Sequence, residues 1–374
     1  MNDFLPKQKK GRFVYAGGWG CVFTNESSMC IPDDEEKFLL KINRDEVKAQ
    51  EEWEIGQILA EIDPDQKHFV YPNYHCHVRV GDIKRLNYYS YSCSFLNSLA
   101  DDDMIRVLYM INGGRTLEDY FIRNEESNKT WSFVSKNIFY PLVKDLQVLF
   151  KAGYMHHDVK GDNVVYDFTP GNRNRKGKEE KIKVRLIDFG IMIPKREYFS
   201  EKYDIMLQIG QGQSWNPPEN RFVFELDRIY EKVISPSQSV QEEQLPRFFM
   251  NLYEKEMDKL NYKISDKNKD TVSFMLIDYV FGRDKYLELY TNAILDFIDE
   301  FFDYENSQIM FKKLSSFADR VDVYGVGILI LEMYDFLVFE NDKQEKEYKN
   351  VLFHCLHPNI LKRSSLSDLL HLLD

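Results

Sequence analysis

The sequence predicts an α+β fold in two parts, strand-rich up to about residue 112 and mainly helical beyond it, and three observations lead there. Short apolar runs crowd the first part, namely Val14–Phe23 around a Gly-Gly turn, Phe38–Ile42 and Val107–Ile111, and runs of that length read as strands. Apolar residues recur at helical spacing in the second part, from Trp131 to Met155 and again from Val323 to Phe339. A chain of 374 residues, 43% hydrophobic and 29% charged, is globular in composition and has room for two substantial cores.

The elements follow in order. Val14–Phe23 reads as strand, turn and strand, with Gly17 and Gly18 at the turn. Phe38–Ile42 reads as a buried strand carrying one charge, Lys41. Ile55, Ile58, Leu59 and Ile62 then form one face of a helix. Val107–Ile111 is a strand that runs into Asn112-Gly113-Gly114, and the stripe from Trp131 reads as a long helix ending at Gly153. The polar stretch Thr169–Lys181 reads as an exposed hairpin loop. Phe248–Leu260 and Tyr286–Phe302 carry apolar residues at helical spacing, so the region between Glu219 and Asp322 reads as folded helices with the acidic residues from Asp296 to Glu305 facing outward. The run Val323–Phe339 is broken by Glu332 and Asp335 and is shorter than the roughly 20 residues a membrane span needs, so it reads as a core helix. The stretch from Glu340 to Glu347 leaves little room for a further helix.

Two motifs carry chemistry: His156-His157-Asp158-Val159-Lys160-Gly161-Asp162-Asn163, and downstream of it Asp188-Phe189-Gly190. Phosphoryl transfer leaves a protein little covalent work beyond placing the nucleophile and neutralising charge on phosphate oxygens and Mg²⁺. Asp158 can orient an attacking hydroxyl and take its proton, Lys160 can face the γ-phosphate, and Asn163 and Asp188 can offer oxygens to a metal.

The spacing of the two motifs resembles the eukaryotic-type protein kinase family, whose catalytic loop reads H-R-D-x-K-x-x-N and whose metal loop reads D-F-G. The resemblance extends over nearly the whole chain, from Phe13 to about Leu373, leaving out the insert. It implies a two-lobed kinase fold around an ATP cleft: residues 1–112 as the small ATP-binding lobe and 113–374 as the large catalytic lobe, interrupted by a helical insert at about 221–317. ATP and Mg²⁺ are the implied cofactors. Nucleotide binding is implied for Tyr15, Ala16, Gly17, Gly18, Trp19, Gly20 and Val22, for Lys41 on the α- and β-phosphates, and for Met110 near the hinge. Tyr15 stands where the family has its first glycine. Catalysis is implied for Asp158, Lys160, Lys41 and a glutamate that pairs with Lys41. Helical phase favours Glu51 for that partner, but the family's spacing favours Glu52, and Glu52 is the residue expected. Asn163 and Asp188 are the implied metal ligands. Asp322 matches the residue that holds the catalytic-loop backbone, and Glu219 with Arg363 matches a buried structural pair. His157 stands where many members carry an arginine that reads a phosphate on the activation segment.

Lys160 after Asp158 matches the serine/threonine branch, so the expected activity is phosphorylation of protein hydroxyls. The alternative is a pseudokinase that binds nucleotide or acts as a scaffold, and small-molecule kinases share only part of the pattern. A formal net charge of −12 argues against nucleic-acid binding and for a basic protein substrate. The five cysteines show no C-x-x-C spacing and no apolar leader follows Met1, so free thiols in a reducing intracellular compartment are expected. His75-Cys76-His77 and His354-Cys355-Leu356-His357 lack a second ligand pair at zinc spacing. The divergent insert and the abundance of Phe, Tyr and Asn resemble kinases of large DNA viruses.

Overall fold

The computed structural model describes residues 13–16, 20–24, 30, 38–85, 91–119, 129–169, 181–197, 251, 279–301 and 307–374. The fold is mixed α and β, and the chain divides into two compact units. The first unit comprises Met1–Gly114 with Val165–Phe168 and Arg185–Gly190, and the second comprises the rest.

In the first unit, β1 (Phe13–Ala16), β2 (Gly20–Thr24), β3 (Phe38–Asn43), β4 (Tyr74–Arg79) and β5 (Met104–Ile111) form an antiparallel sheet ordered β1-β2-β3-β5-β4. Alternation along these strands turns Cys21 and Phe23, Leu40 and Ile42, Val107 and Tyr109 to one face, where they join a single buried cluster. Helix α1 (Glu46–Ile62) begins at Asp45, whose carboxylate accepts the Val47 N–H at 2.8 Å, a side-chain cap that fixes where the helix starts. Its first residue, Glu46, accepts from Arg106 on β5 at 2.8 Å. A short α2 (Val80–Arg85) follows β4.

The cysteine reading is corrected here, because the structure pairs four of the five. Cys21 on β2 is bonded to Cys93, and Cys30 to Cys76 on β4, with Cα–Cα distances of 5.9 and 6.4 Å. Partners lie 72 and 46 residues apart, so local spacing carried no sign of them; the sheet brings them together. Two cystines are the opposite of what a reducing compartment favours, and the cysteine argument for one falls. Cys355 is free and buried.

The second unit opens with two-residue strands β6 (Arg115–Thr116) and β7 (Lys129–Thr130). A long helical rod follows as α3 (Trp131–Val134), a π turn over Ser135–Phe139, and α4 (Tyr140–Lys151). Pro141 in the first turn of α4 has no N–H for the usual bond, and the π turn relieves that interruption. Gly153, at φ +100°, turns the chain into β8 (Tyr154–Met155). Strands β9 (Val164–Thr169) and β10 (Lys181–Leu186) are shared between the units, and β11 (Ile193–Pro194) pairs antiparallel with β8.

Helices α5 (Arg283–Phe301) and α6 (Ser307–Ser315) are the described part of the expected insert. Tyr286, Tyr290, Ala293, Phe297 and Phe301 form the buried stripe of α5. Asp299 and Glu300 are exposed, but Asp296 is not part of an outward acidic face. It accepts from Asn359 at 2.5 Å and meets Lys362 at 3.2 Å, partners more than sixty positions away that no local charge pattern reveals. Next come α7 (Asp319–Glu332), buried on nearly every side, and β12 (Leu337–Val338), parallel to β7. The stretch expected to be too short for a helix instead starts α8 (Asp342–Cys355), because Asn341 caps it through the Gln344 N–H. The chain closes with α9 (Leu366–Leu373). Among the described residues no helix is long and apolar enough to cross a membrane.

Candidate active site

The motif residues fall into two constellations, one in each unit. In the first, Lys41 on β3 and Glu52 on α1 form an ion pair of 2.8 Å between Nζ and Oε1, each side chain only 17% exposed. Asp188 Oδ1 lies 3.9 Å from the same ammonium, and its carboxylate is half exposed. The carboxylate that meets Lys41 is therefore Glu52's. Glu51 bonds Lys48 at 2.6 Å on the solvent side of α1. The partner's second oxygen is also held: Asn43 Nδ2 donates to Glu52 Oε2 at 3.0 Å.

The sheet register puts Val22 opposite Lys41, Gly20 opposite Asn43, and Met110 opposite Leu39. On β1, Tyr15 and Ala16 pair with Val22 and Cys21. Gly17, Gly18 and Trp19 lie outside the described residues. Asp188 sits at φ +58°, a left-handed conformation that costs a non-glycine residue energy, and Phe189 after it is buried with its ring edge-on to Phe69 at 5.5 Å. Burying that phenylalanine holds the turn in which the aspartate projects.

In the second unit, the loop 156–163 is tied down by one carboxylate. Asp322 on α7 accepts the His156 N–H at 3.0 Å and the His157 N–H at 2.7 Å. Burial raises the Asp322 carboxyl above the usual range, while His156 and the two N–H donors work against that rise. His157 is itself at φ +66°, so the clamp also holds a strained backbone. Its ring is buried, which together with the neighbouring His156 depresses its pKa to about 4, and it is neutral at pH 7.

Within the loop, Asp158 Oδ2 accepts from Lys160 Nζ at 2.8 Å and from Asn163 Nδ2 at 2.7 Å, and Asn163 also bonds the Asp158 carbonyl at 2.9 Å. Among the described residues both side-chain bonds of this carboxylate fall on Oδ2. The neighbouring Asp162 carboxyl, with burial, raises Glu118 to about 7. Neither this carboxyl pair nor Asn43 was singled out from the sequence. The signal for Asn43 was its position two residues after Lys41 on a strand, which returns it to the same face.

Arg363 is fully buried and donates to the carbonyls of His357 and Arg320, each at 3.1 Å, with its guanidinium 4.8 Å from the centre of the Tyr324 ring. Its expected partner Glu219 lies outside the described residues. No protein-family model matches the sequence, and no curated protein does.

Proposed function

We propose that the protein is a serine/threonine protein kinase of the two-lobed kinase fold, transferring the γ-phosphoryl group of MgATP to a protein hydroxyl. The observation that carries this reading is the first constellation: a lysine ammonium held by a shielded glutamate at 2.8 Å, beside a second, solvent-facing carboxylate at 3.9 Å. A purely structural ion pair has no use for the second carboxylate, whereas a phosphate grip next to a magnesium ligand needs both. The donor set fits the ion, since Asp188 and Asn163 offer hard oxygens and no thiolate or imidazole.

Bound MgATP supplies the phosphoryl group and, through its metal, neutralises charge on the phosphate oxygens. Lys41, pinned in reach by Glu52, would hold the α- and β-phosphates. Asp188 and Asn163 would each offer an oxygen to the metal. Asp158 orients the substrate hydroxyl and takes its proton on Oδ1, while Lys160 and Asn163 hold Oδ2 and keep the carboxylate in one orientation. Lys160 would then be the charge that faces the γ-phosphate, and its presence two residues after Asp158 supports the serine/threonine reading. The net charge of −12 favours a basic protein substrate.

The test is phosphate transfer from MgATP to a generic basic protein by the full chain. Asp158→Asn and Asp188→Asn should each lower turnover by about a hundredfold or more with folding unchanged. Transfer by Asp188→Asn at the wild-type rate, or none by the wild type, overturns the assignment.

A further inference from the structure

We infer that Asn43 is a positioning residue of this site, holding Glu52 so that one carboxylate oxygen is always presented to Lys41. The inference rests on the kinase reading for its consequence in catalysis, though not for its geometry. Asn43 ends β3 and is 2% exposed, which for a carboxamide demands partners. Its Nδ2 donates to Glu52 Oε2 at 3.0 Å while Lys41 Nζ donates to Oε1 at 2.8 Å. Both donors come from one strand, two residues apart and so on one face. A glutamate held at one oxygen can still swing about its last torsion. Held at both by a rigid strand, it has a fixed carboxylate plane, and α1 is fixed to β3 at the same point.

A neutral amide suits the task. A second cation at position 43 would compete with Lys41 for Glu52, and an aspartate would repel it. The amide also accounts for the residue facing it across the ladder. A Cβ placed on Gly20 would come 2.9 Å from Asn43 Oδ1 and within van der Waals overlap of the Ile42 carbonyl. Glycine at position 20 therefore leaves room both for the Ile42 carbonyl and for the Asn43 carboxamide across the ladder.

The experiment is a double-substitution cycle on the full chain. Asn43→Leu, branched at Cγ like asparagine but bulkier and unable to donate, and Asn43→Ser, small enough to fold if leucine does not, are each made in wild-type and in Glu52→Gln backgrounds. In the wild-type background we expect kcat/KM for ATP to fall about tenfold, with KM for the protein substrate unchanged. In the Glu52→Gln background the same change should cost less than twofold, because a residue that acts through Glu52 has nothing left to hold. Equal fractional losses in both backgrounds, or full activity of both variants, overturns the inference. Urea unfolding of the same six proteins, the two parents included, reads the Asn43–Glu52 coupling without any activity. An inactive wild type would therefore sink the kinase reading alone, and additive unfolding effects would sink the positioning role alone.

Discussion

Reducing the two cystines should cost the first unit much of its stability, and the size of the loss follows from where the cysteines lie. Cys21–Cys93 closes a loop of 72 residues and Cys30–Cys76, nested inside it, one of 46. The chain-entropy model gives about 4 kcal/mol for either loop closed alone, and nesting makes the sum smaller than twice that. Cys21 and Cys93 are both buried in the cluster behind β2, so their separation also loosens the strand that faces Lys41. The assay is thermal unfolding of protein purified without reductant, with and without a phosphine, beside Cys21→Ala and Cys30→Ala variants. A loss on the order of 3–5 kcal/mol corresponds to a Tm drop of roughly 10–20 °C for a unit of this size. Thiol titration in denaturant should find one free cysteine, Cys355, before reduction and five after it. Five thiols before reduction, or a Tm that ignores the phosphine, would refute the reasoning.

Three further predictions follow from the same structure. Phe297, 3% exposed and stacked on Phe301 at 5.4 Å, should not tolerate Phe297→Asp, which loses about 3–5 kcal/mol or prevents folding, while charge reversal at exposed Asp299 and Glu300 should leave urea unfolding within about 0.5 kcal/mol. Glu52→Lys should abolish phosphate transfer and Glu51→Lys should spare it, since only Glu52 meets Lys41; the reverse pattern in a radiolabel assay would reassign the pair. His157 has a folded pKa of about 4 against 6.5 unfolded, so the unfolded chain takes up the proton first and stability falls as pH drops through that window. Relative to His157→Asn, the wild type should lose about 2 kcal/mol between pH 7 and pH 5 in urea titrations, and phosphatase treatment should leave its activity within tenfold, because a neutral buried ring reads no phosphate.

How far the sequence could be read depended on the range of the information. The mutual contacts of Asp158, Lys160 and Asn163 were legible because the three lie within a few residues of one another. Glu52 was not separable from Glu51, because the choice turns on where α1 begins, and that is decided by the Asp45 cap. Asn43 carried only the signal of its place two residues after Lys41, and one asparagine at a strand end is ordinary until the helix opposite is known. The cystines and the Asn359–Asp296 bond join positions tens of residues apart, and a run of acidic side chains reads as a solvated face until its partner is seen. The strained φ of His157, and the burial that keeps it neutral, belong to the packed loop and have no counterpart in a letter.

The fastening of the loop 156–163 sets what this chain can absorb in length. Strand β11 pairs with Tyr154 and Met155 on one side of the His-His pair, and Asp322 grips the two histidine N–H groups from the far end of the long excursion. The segment from 195 to 318 thus leaves from, and returns to, four adjacent residues. Loop-closure entropy grows only logarithmically with chain length, about 0.6 kcal/mol for each doubling. Growth or trimming within that excursion, away from the buried stripe of α5, is therefore expected to leave the Asp322 clamp on His156 and His157 in place.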